Sequence, residues 1–484
     1  MKISIAQLNP KLGDFLGNQK KIRTAISRAL EENANILILP FGAVTGFPLG
    51  NLTLSEDFRN TTKASLEAIA RETEGNNLSI FSGGEEVFSN GQVHYGQFSS
   101  KHPGQRHIPF PAMFQKENIE VFVNLGPKIF EKNVPEAHEI ELRILAGEKK
   151  AWVFDINLAG ATDELIFSGL STVIRPDGEI AARLKFAEED FITLDINSPQ
   201  TYRIEPIPAG EEILYKALIT GIRNYFEKNN FLNILISVSG GIDSALVAAL
   251  AVAAVGKEKI SAVYLPSHFS SEISTNEARN LCNNLDIHLQ EISIENLYNT
   301  FLNELSFLHN RVWKENIQAR IRGSIVMSIA NDTNALVLAT GNKTEVAMGY
   351  CTLYGDTCGG LAPILDLLKT EVRALSRYIN RDHIIIPEQI ITRPPSAELH
   401  EGQEDEHSLP NYEFLDQVLY LHCEENLDFH QISERLGRPE DVRKIFTLLY
   451  RSEYKRRQTA IGLKISKRYF GLDWHVPCTV GLWF

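Results

Sequence analysis

Residues Ser239-Gly240-Gly241-Ile242-Asp243-Ser244 follow the apolar run Ile234-Leu235-Ile236 and precede a stretch rich in Ala and Leu. That order reads as a strand, a tight turn and a helix N-terminus. Backbone N–H groups at Gly240 and Gly241 can approach an anion closely, and the positive end of the helix dipole favours negative charge there. Ser239 and Ser244 add hydroxyl donors, so the stretch reads as a phosphate loop. No Lys follows the glycines, which separates it from the Walker type. Asp243 stands there instead, and an acid beside phosphates is favourable only with a divalent cation between them. The competing reading is an ordinary strand-turn-helix corner with Asp243 as a helix cap.

The elements that must position this loop follow from the hydrophobic pattern. Residues 211–228 read as a helix, and strands at 260–265, 288–292 and 336–339 alternate with helices at 274–285 and 313–331. This predicts a doubly wound parallel sheet, with ligands beyond the C-terminal ends of its strands. The run Leu336-Val337-Leu338-Ala339 delivers Thr340-Gly341-Asn342-Lys343-Thr344-Glu345 to that rim. Upstream, strands are expected at 3–8, 35–39, 78–81, 93–98, 152–157, 171–174 and 191–195, with helices at 18–31, 56–72 and 136–150. Residues 2–196 therefore predict an α/β layered sandwich. The boundaries are 1–196 for the first domain, 197–210 for a linker with three prolines, and 211–484 for the second.

Ser-Gly-Gly-x-Asp-Ser after a strand resembles the pyrophosphate loop of the ATP pyrophosphatase superfamily, which cuts ATP between the α and β phosphates and adenylates a substrate oxygen. Within it, the chain resembles NAD synthetase. The motifs that carry the resemblance are Asn316 through Gly323, Thr340 through Glu345, Leu353-Tyr354-Gly355-Asp356, Arg393-Pro394-Pro395-Ser396-Ala397-Glu398-Leu399 and Glu453 through Gln458. The resemblance implies that Ser237, Ser239, Gly240, Gly241, Asp243 and Ser244 hold ATP, with Thr340 and Ser396 near the nucleotide and Lys369 on its phosphates. It implies that Asn316, Arg320, Glu345 and Lys455 face deamido-NAD and that Asp243 and Glu345 hold Mg²⁺. Taken singly, Arg320 and Arg322 also fit a solvated helix face, Lys369 with Glu371 a surface pair, and Lys455 a basic helix end.

The first half resembles the nitrilase-like glutaminase domain of many NAD synthetases, through Ile36-Leu37-Ile38-Leu39-Pro40, Thr45-Gly46-Phe47-Pro48 and Asp163 through Gly169. That family splits glutamine with a Glu, Lys and Cys triad. Here Phe41 follows the proline where the Glu is expected, and Gln105 takes the Lys position, with Lys101 and Arg106 nearby. Only residues 124–135 separate Val121-Phe122-Val123 from the helix at 136–150, so a block of the family's fold is expected to be missing. No cysteine precedes Cys282, which leaves the glutaminase mechanism without its nucleophile. The expectation is a truncated domain that has lost glutaminase activity, and a synthetase that uses free ammonia. A separate glutaminase or residual glutamine use is the alternative. A non-enzymatic nucleotide-binding regulator is the remote one.

Composition bounds the partners. With 484 residues, 43% hydrophobic and 23% charged, the chain is long enough for two or three domains with real cores. A net charge of −13 argues against a general nucleic-acid binder. No apolar run reaches membrane-spanning length and the first residues alternate like a strand, so a cytoplasmic enzyme without a membrane partner is expected. Five cysteines without paired metal-ligand spacing predict reduced thiols. Residues 431–450 could form a helix-turn-helix, but without a basic face a packing role is expected. Partners are then deamido-NAD, ATP, ammonia and Mg²⁺, with a homo-oligomer implied by the resemblance.

Overall fold

The chain divides into two units, Met1–Ala209 and Gly210–Phe484. The structure, a computed structural model, describes residues 1–83, 86–95, 121–132, 134–198, 200–396, 398–400 and 409–484. Lys101, Gln105, Arg106, Ala397 and residues 96–98 of the expected strand at 93–98 lie outside the described residues.

The first unit runs β1 (Lys2–Gln7), α1 (Phe15–Glu31), β2 (Ile36–Ile38), α2 (Glu56–Arg71), β3 (Ser79–Phe81), β4 (Glu86–Ser89) and β5 (Gln92–Tyr95). It continues through β6 (Val121–Asn124), α3 (Val134–Lys149), β7 (Trp152–Asp155), β8 (Ala159–Thr162) and β9 (Leu165–Ser168). It ends with β10 (Thr172–Ile174), β11 (Ile180–Arg183) and β12 (Asp190–Asp195). The strands form a sheet in the order β12-β1-β2-β3-β4-β5, a second in the order β11-β10-β7-β6, and the pair β8-β9.

Side-chain alternation builds the layers. Ile36 and Ile38 join Ile3 and Ile5 against Val123, Trp152 and Phe154 of the second sheet. Leu37 and Ile80 point the other way, onto Ile22 and Ile26 of α1 and Leu66 and Ile69 of α2. On the far face of the second sheet, Val153 and Ile174 pack on Leu142 and Ala146 of α3. The result is a helix-sheet-sheet-helix stack, the α/β layered sandwich that the alternating elements predict.

Two hairpins escape the periodicity reading because their strands are too short to show a period. The β4-β5 turn is Asn90-Gly91, both at positive φ, the pair a two-residue type I′ turn demands. The β8-β9 turn has Asp163 at φ 50.

The second unit begins α4 (Glu211–Lys228), β13 (Asn233–Ser237), α5 (Ile242–Val255), β14 (Ile260–Tyr264), α6 (Glu272–Leu285) and β15 (His288–Glu291). Next come α7 (Glu295–Glu304), α8 (Arg311–Thr333), β16 (Ala335–Leu338), α9 (Lys343–Met348) and α10 (Lys369–Ile379). The last elements are α11 (Glu388–Thr392), α12 (Tyr412–Leu419), α13 (Phe429–Leu436), α14 (Pro439–Arg451) and α15 (Glu453–Arg456). All pairings in the sheet β15-β14-β13-β16 are parallel. From β13 the chain moves outward through β14 to β15, then returns to the other side of β13 as β16. The connections after β13 and β16 therefore leave in opposite directions and open a crevice between them.

Helix α5 is apolar on every side from Ala245 to Ala251 because it lies between the sheet and helices α4 and α10. Helices α13 and α14, joined at Gly437 with φ 68, bury Ile432, Val442, Ile445 and Phe446 in one core with Val346 and Met348 of α9. Their apolar faces are consumed by packing. Among the described residues no helix is long and apolar enough to cross a membrane.

One backbone contact fixes the loop after β13. Gly240 has φ +79, and a Cβ built on it would lie 2.3 Å from the Ser274 carbonyl oxygen in α6. Only glycine fits, for both reasons. Gly240→Ala is expected to lower stability by about 1–3 kcal/mol, measured by urea unfolding. A change within about 0.5 kcal/mol, the range of an ordinary surface substitution, would show that the loop can move off α6.

Candidate active site

The loop after β13 is built from its own serines. Ser244 Oγ accepts from Ser239 N at 3.1 Å and donates to the Gly241 carbonyl at 3.0 Å, while Ser239 Oγ accepts from Gly241 N at 3.2 Å. The Ser244 hydroxyl, expected as a ligand donor, is engaged in shaping the turn. Gly241 is the N-cap of α5 and provides no side-chain cap. Asp243 sits one residue inside the helix, so the helix-cap reading of its carboxylate does not hold. Its Oδ1 accepts from Asn342 Nδ2 at 2.8 Å and its Oδ2 from Lys369 Nζ at 2.5 Å.

Lys369 opens α10 and is buried, with Glu345 Oε1 as its second carboxylate at 3.0 Å. Burial pulls its pKa down, but the charges of Asp243 and Glu345 outweigh burial and hold it above the usual lysine range. Glu345 and Asn342 form a capping box at the start of α9, with Glu345 N donating to Asn342 Oδ1 at 2.9 Å. Asp416 ties the starts of α9 and α10 together. It accepts from Thr344 Oγ1 at 2.5 Å and from Thr370 N at 2.8 Å, and Thr344 Oγ1 accepts from Lys369 N at 2.9 Å. Burial pushes the Asp416 carboxyl up to about 6.

Asp243, Glu345 and Lys369 face a cavity of about 300 Å³ at the crevice beside β13. Of the sequence-predicted residues, Ser237, Ser239, Gly240, Gly241, Asp243, Ser244, Thr340, Glu345, Lys369 and Ser396 line it. Asn316, Arg320 and Lys455 stand behind the wall. Asn316 Oδ1 accepts from Thr352 Oγ1 at 3.0 Å, Arg320 Nε donates to the Leu353 carbonyl at 3.2 Å, and Lys455 Nζ donates to the carbonyls of Gly349 and Cys351 at 2.7 Å each. All three hold the segment 349–353, and it is Tyr350 and Thr352 of that segment that line the cavity.

Sequence reasoning gave no site role to four charged lining residues, Arg322, Asp356, Arg393 and Glu398. Arg322 donates from Nε to the Leu265 carbonyl at 2.9 Å, and burial pulls its guanidinium below the usual arginine range. Two positions along a helix do not share a face, so Arg320 and Arg322 could not both have been solvated or both site-facing; the sequence offered no means to choose. Arg393 donates to Ser274 Oγ and Glu398 Oε1, each at 2.8 Å, and Glu398 also accepts from the hydroxyls of Ser271 at 2.8 Å and Ser274 at 2.7 Å. Burial pushes Glu398 up, but those hydroxyls and Arg393 hold it below the usual carboxylate range. This cluster ties the Arg393-Pro394-Pro395-Ser396 segment to the start of α6, and through Ser274 to the Gly240 turn. Cys358 is half-buried and lines the same cavity.

In the first unit, Phe41 packs edge-on against Phe47 with ring centroids 5.6 Å apart, and Phe47 meets Phe167 at 6.1 Å. The position expected for a catalytic acid is part of an aromatic cluster.

The profile of the NAD synthase family matches residues 214–459. The glutamine-dependent NAD(+) synthetase of Thermotoga maritima is 32% identical over 99% of this chain and 98% of its own length. That of Aquifex aeolicus is 34% identical over 99% of both chains. The crystallised glutamine-dependent NAD+ synthetase of Acinetobacter baumannii, in complex with ADP, superposes with a TM-score of 0.74 at 29% identity, over 99% of this chain and 98% of that one. A synthetase from Cytophaga hutchinsonii, 18% identical, shares the fold with a TM-score of 0.82 over 99% of this chain and 97% of that one. These relatives are named for glutamine dependence, and nothing in the comparisons supports the expected loss of glutaminase activity or an ammonia-only enzyme. By the extent of these matches the chain belongs to the NAD synthase family.

Proposed function

We propose that the second unit adenylates deamido-NAD⁺ with ATP and then amidates it, yielding NAD⁺, AMP and pyrophosphate. The observation that carries this reading is the convergence of the Gly240 turn, Asp243, Glu345 and Lys369 on one cavity in a chain of this family. A carboxylate is a poor electrophile. Its oxygen therefore attacks the α-phosphorus of ATP, the bond to the β-phosphate oxygen breaks, and pyrophosphate leaves. Ammonia then attacks the acyl carbon, loses a proton, and displaces AMP.

In this reading the N–H groups of the Gly240 turn hold phosphate oxygens, and Lys369, kept protonated by its two carboxylates, turns its Nζ to the leaving pyrophosphate. Ser237, Thr340 and Ser396 lie beside the nucleotide. Asn316, Arg320, Glu345 and Lys455 form the deamido-NAD⁺ set, with all but Glu345 acting through the segment they hold. Two carboxylates meeting at one point are the hard-oxygen donor set that Mg²⁺ takes alongside phosphates, so Asp243 and Glu345 would hold the ion. When bound, it neutralises charge on the departing pyrophosphate.

The nitrogen source divides two readings. The relatives' names favour glutamine. The residues of the first unit favour ammonia as the species that reaches the synthetase, since no cysteine precedes Cys282 and Phe41 cannot move a proton. The aligned span with the Thermotoga maritima protein, 566 positions, exceeds the 484 residues of this chain, so that relative carries segments without a counterpart here. A separate glutaminase that feeds this synthetase accommodates both observations.

Asp243→Asn is expected to lower pyrophosphate release from ATP and deamido-NAD⁺ by about 10²–10³-fold, together with NAD⁺ formation. Release at the unaltered rate would remove Asp243 from adenylation. The pure enzyme is expected to form NAD⁺ with ammonium and not with glutamine, and at fixed total ammonium the rate should climb with pH because only NH₃ has the attacking lone pair. Glutamine-supported NAD⁺ formation with stoichiometric glutamate would establish the other reading.

A further inference from the structure

A second cavity, of about 950 Å³, lies wholly within the first unit, where the parallel strands β6 and β7 end beneath α3. Phe41 and Phe47 do not line it. Its floor is a single buried carboxylate, Asp155. Asp155 Oδ1 accepts from Asn124 Nδ2 at 2.7 Å, and Oδ2 pairs with Lys128 Nζ and lies 3.4 Å from His138 Nε2. Two atoms beside that carboxylate, Asn124 Oδ1 and His138 Nε2, are buried without a hydrogen-bond partner. Such atoms are costly unless something supplies the missing bonds.

The chemistry of the missing partner can be read from what surrounds it. Asn124 Oδ1 is an acceptor, fixed as such because Nδ2 donates to Asp155. His138 Nδ1 faces Glu141 Oε2 at 3.8 Å, and a proton on that nitrogen leaves Nε2 as an acceptor. Burial, and then the Lys128 charge, pull the His138 pKa to about 4, so the ring is neutral near pH 7. Among the described residues Lys128 is the one lysine or arginine on Asp155, and burial pulls it down to about 7, so near neutral pH this carboxylate has an incomplete counter-charge. The remaining charged groups do not supply it. Glu139 is paired with Arg183, Glu131 and Glu141 add negative charge, and Lys149 is exposed.

We propose that this cavity binds a small primary ammonium ligand whose three N–H groups meet Asp155 Oδ2, Asn124 Oδ1 and His138 Nε2. An ammonium has three donors and no acceptor, which matches the three acceptors Asp155 Oδ2, Asn124 Oδ1 and His138 Nε2. The ligand's apolar body lies against Phe122, Leu142, Leu145 and Val153. Its charge replaces that of Lys128, which gives up its proton on binding. The inference is independent of the synthetase reading, since every residue it uses is in the first unit.

The test is calorimetric titration of the full chain with n-butylammonium, butyramide and butyrate. The expected result is binding of n-butylammonium, at least tenfold tighter than butyramide, with no binding of butyrate. Proton release, read from buffers of different ionisation enthalpy, is about half a proton per ligand at pH 7 and approaches one as the pH falls below about 6. Affinity falls as pH drops through about 7, approaching tenfold per pH unit once Lys128 is mostly charged. Asp155→Asn should weaken binding at least tenfold, whereas Lys128→Met should tighten it and remove the pH dependence between 6 and 8. Binding of butyrate that Lys128→Met abolishes would make this an anion site and overturn the proposal. Absence of n-butylammonium binding, or binding without proton release, would do the same even if the variants failed to fold.

Discussion

The ammonium of Lys369, buried between Asp243 and Glu345, is the contact on which the second unit turns. Lys369 and its two partners come from α10, α5 and α9, and α5 and α9 open from the two strands on either side of the switch in the sheet. A buried ammonium without carboxylates costs several kcal/mol, and removing one member of such a group leaves the others uncompensated, at about 3–5 kcal/mol. The three helix starts therefore cannot drift apart independently. Two carboxylates against one ammonium also leave one negative charge in excess at the cavity wall. In the proposed function that excess is what draws the divalent cation.

The constraint is passed outward by a second buried cation. Lys343, two residues before Glu345, has Nζ at 2.9 Å from Asp366, 2.8 Å from Glu424 and 2.8 Å from the Ser466 hydroxyl. Burial pulls its pKa down, and the charges of Asp366 and Glu424 more than restore it. Asp366 in turn accepts from the backbone of Ile465 and Ser466. The chain beyond α12 is thus fastened to the turn that carries Glu345, and Asp416 of α12 fastens α9 to α10. What looks in the sequence like a run of packing helices after the sheet holds two of the three members of this cluster, Glu345 and Lys369 itself.

The layers were legible wherever an element was long enough to show its period: α1, α4, α5 and α8, and the runs that became β13, β14 and β16. The phosphate turn was legible because glycine and a strand-to-helix change leave few alternatives at Gly240. What stayed hidden depends on tertiary approach. Nothing in the sequence says that Ser244 closes its own loop, that Arg322 and not Arg320 enters the wall, or that Lys343 is buried while Lys455 reaches backbone carbonyls. The Arg393 and Glu398 cluster pairs residues more than a hundred positions from Ser271 and Ser274. Its serines carry no signal of their own. The short hairpins were missed for the opposite reason: their evidence was local, in Asn90-Gly91 and Asp163, and lay outside a reading based on period.

Comparing the two buried lysines explains how one chain holds an assertive site and a quiet one. Lys369 has two carboxylates and stays charged; Lys128 has one, and burial brings it down to about 7. The difference is the second carboxylate, which keeps Lys369 charged although its side chain is 2% exposed against 23% for Lys128. The first unit keeps its form for a separate reason. Its stack is held by Ile3, Ile5, Ile36, Ile38, Trp152 and Phe154 meeting between the sheets, and by Leu37 and Ile80 on the helices. None of these positions would carry out chemistry in a glutaminase. A phenylalanine at position 41, packed on Phe47, adds apolar contact without disturbing any layer. Phe41 is therefore accommodated at little cost to the fold, whereas removing any group around Lys369 leaves buried charge uncompensated.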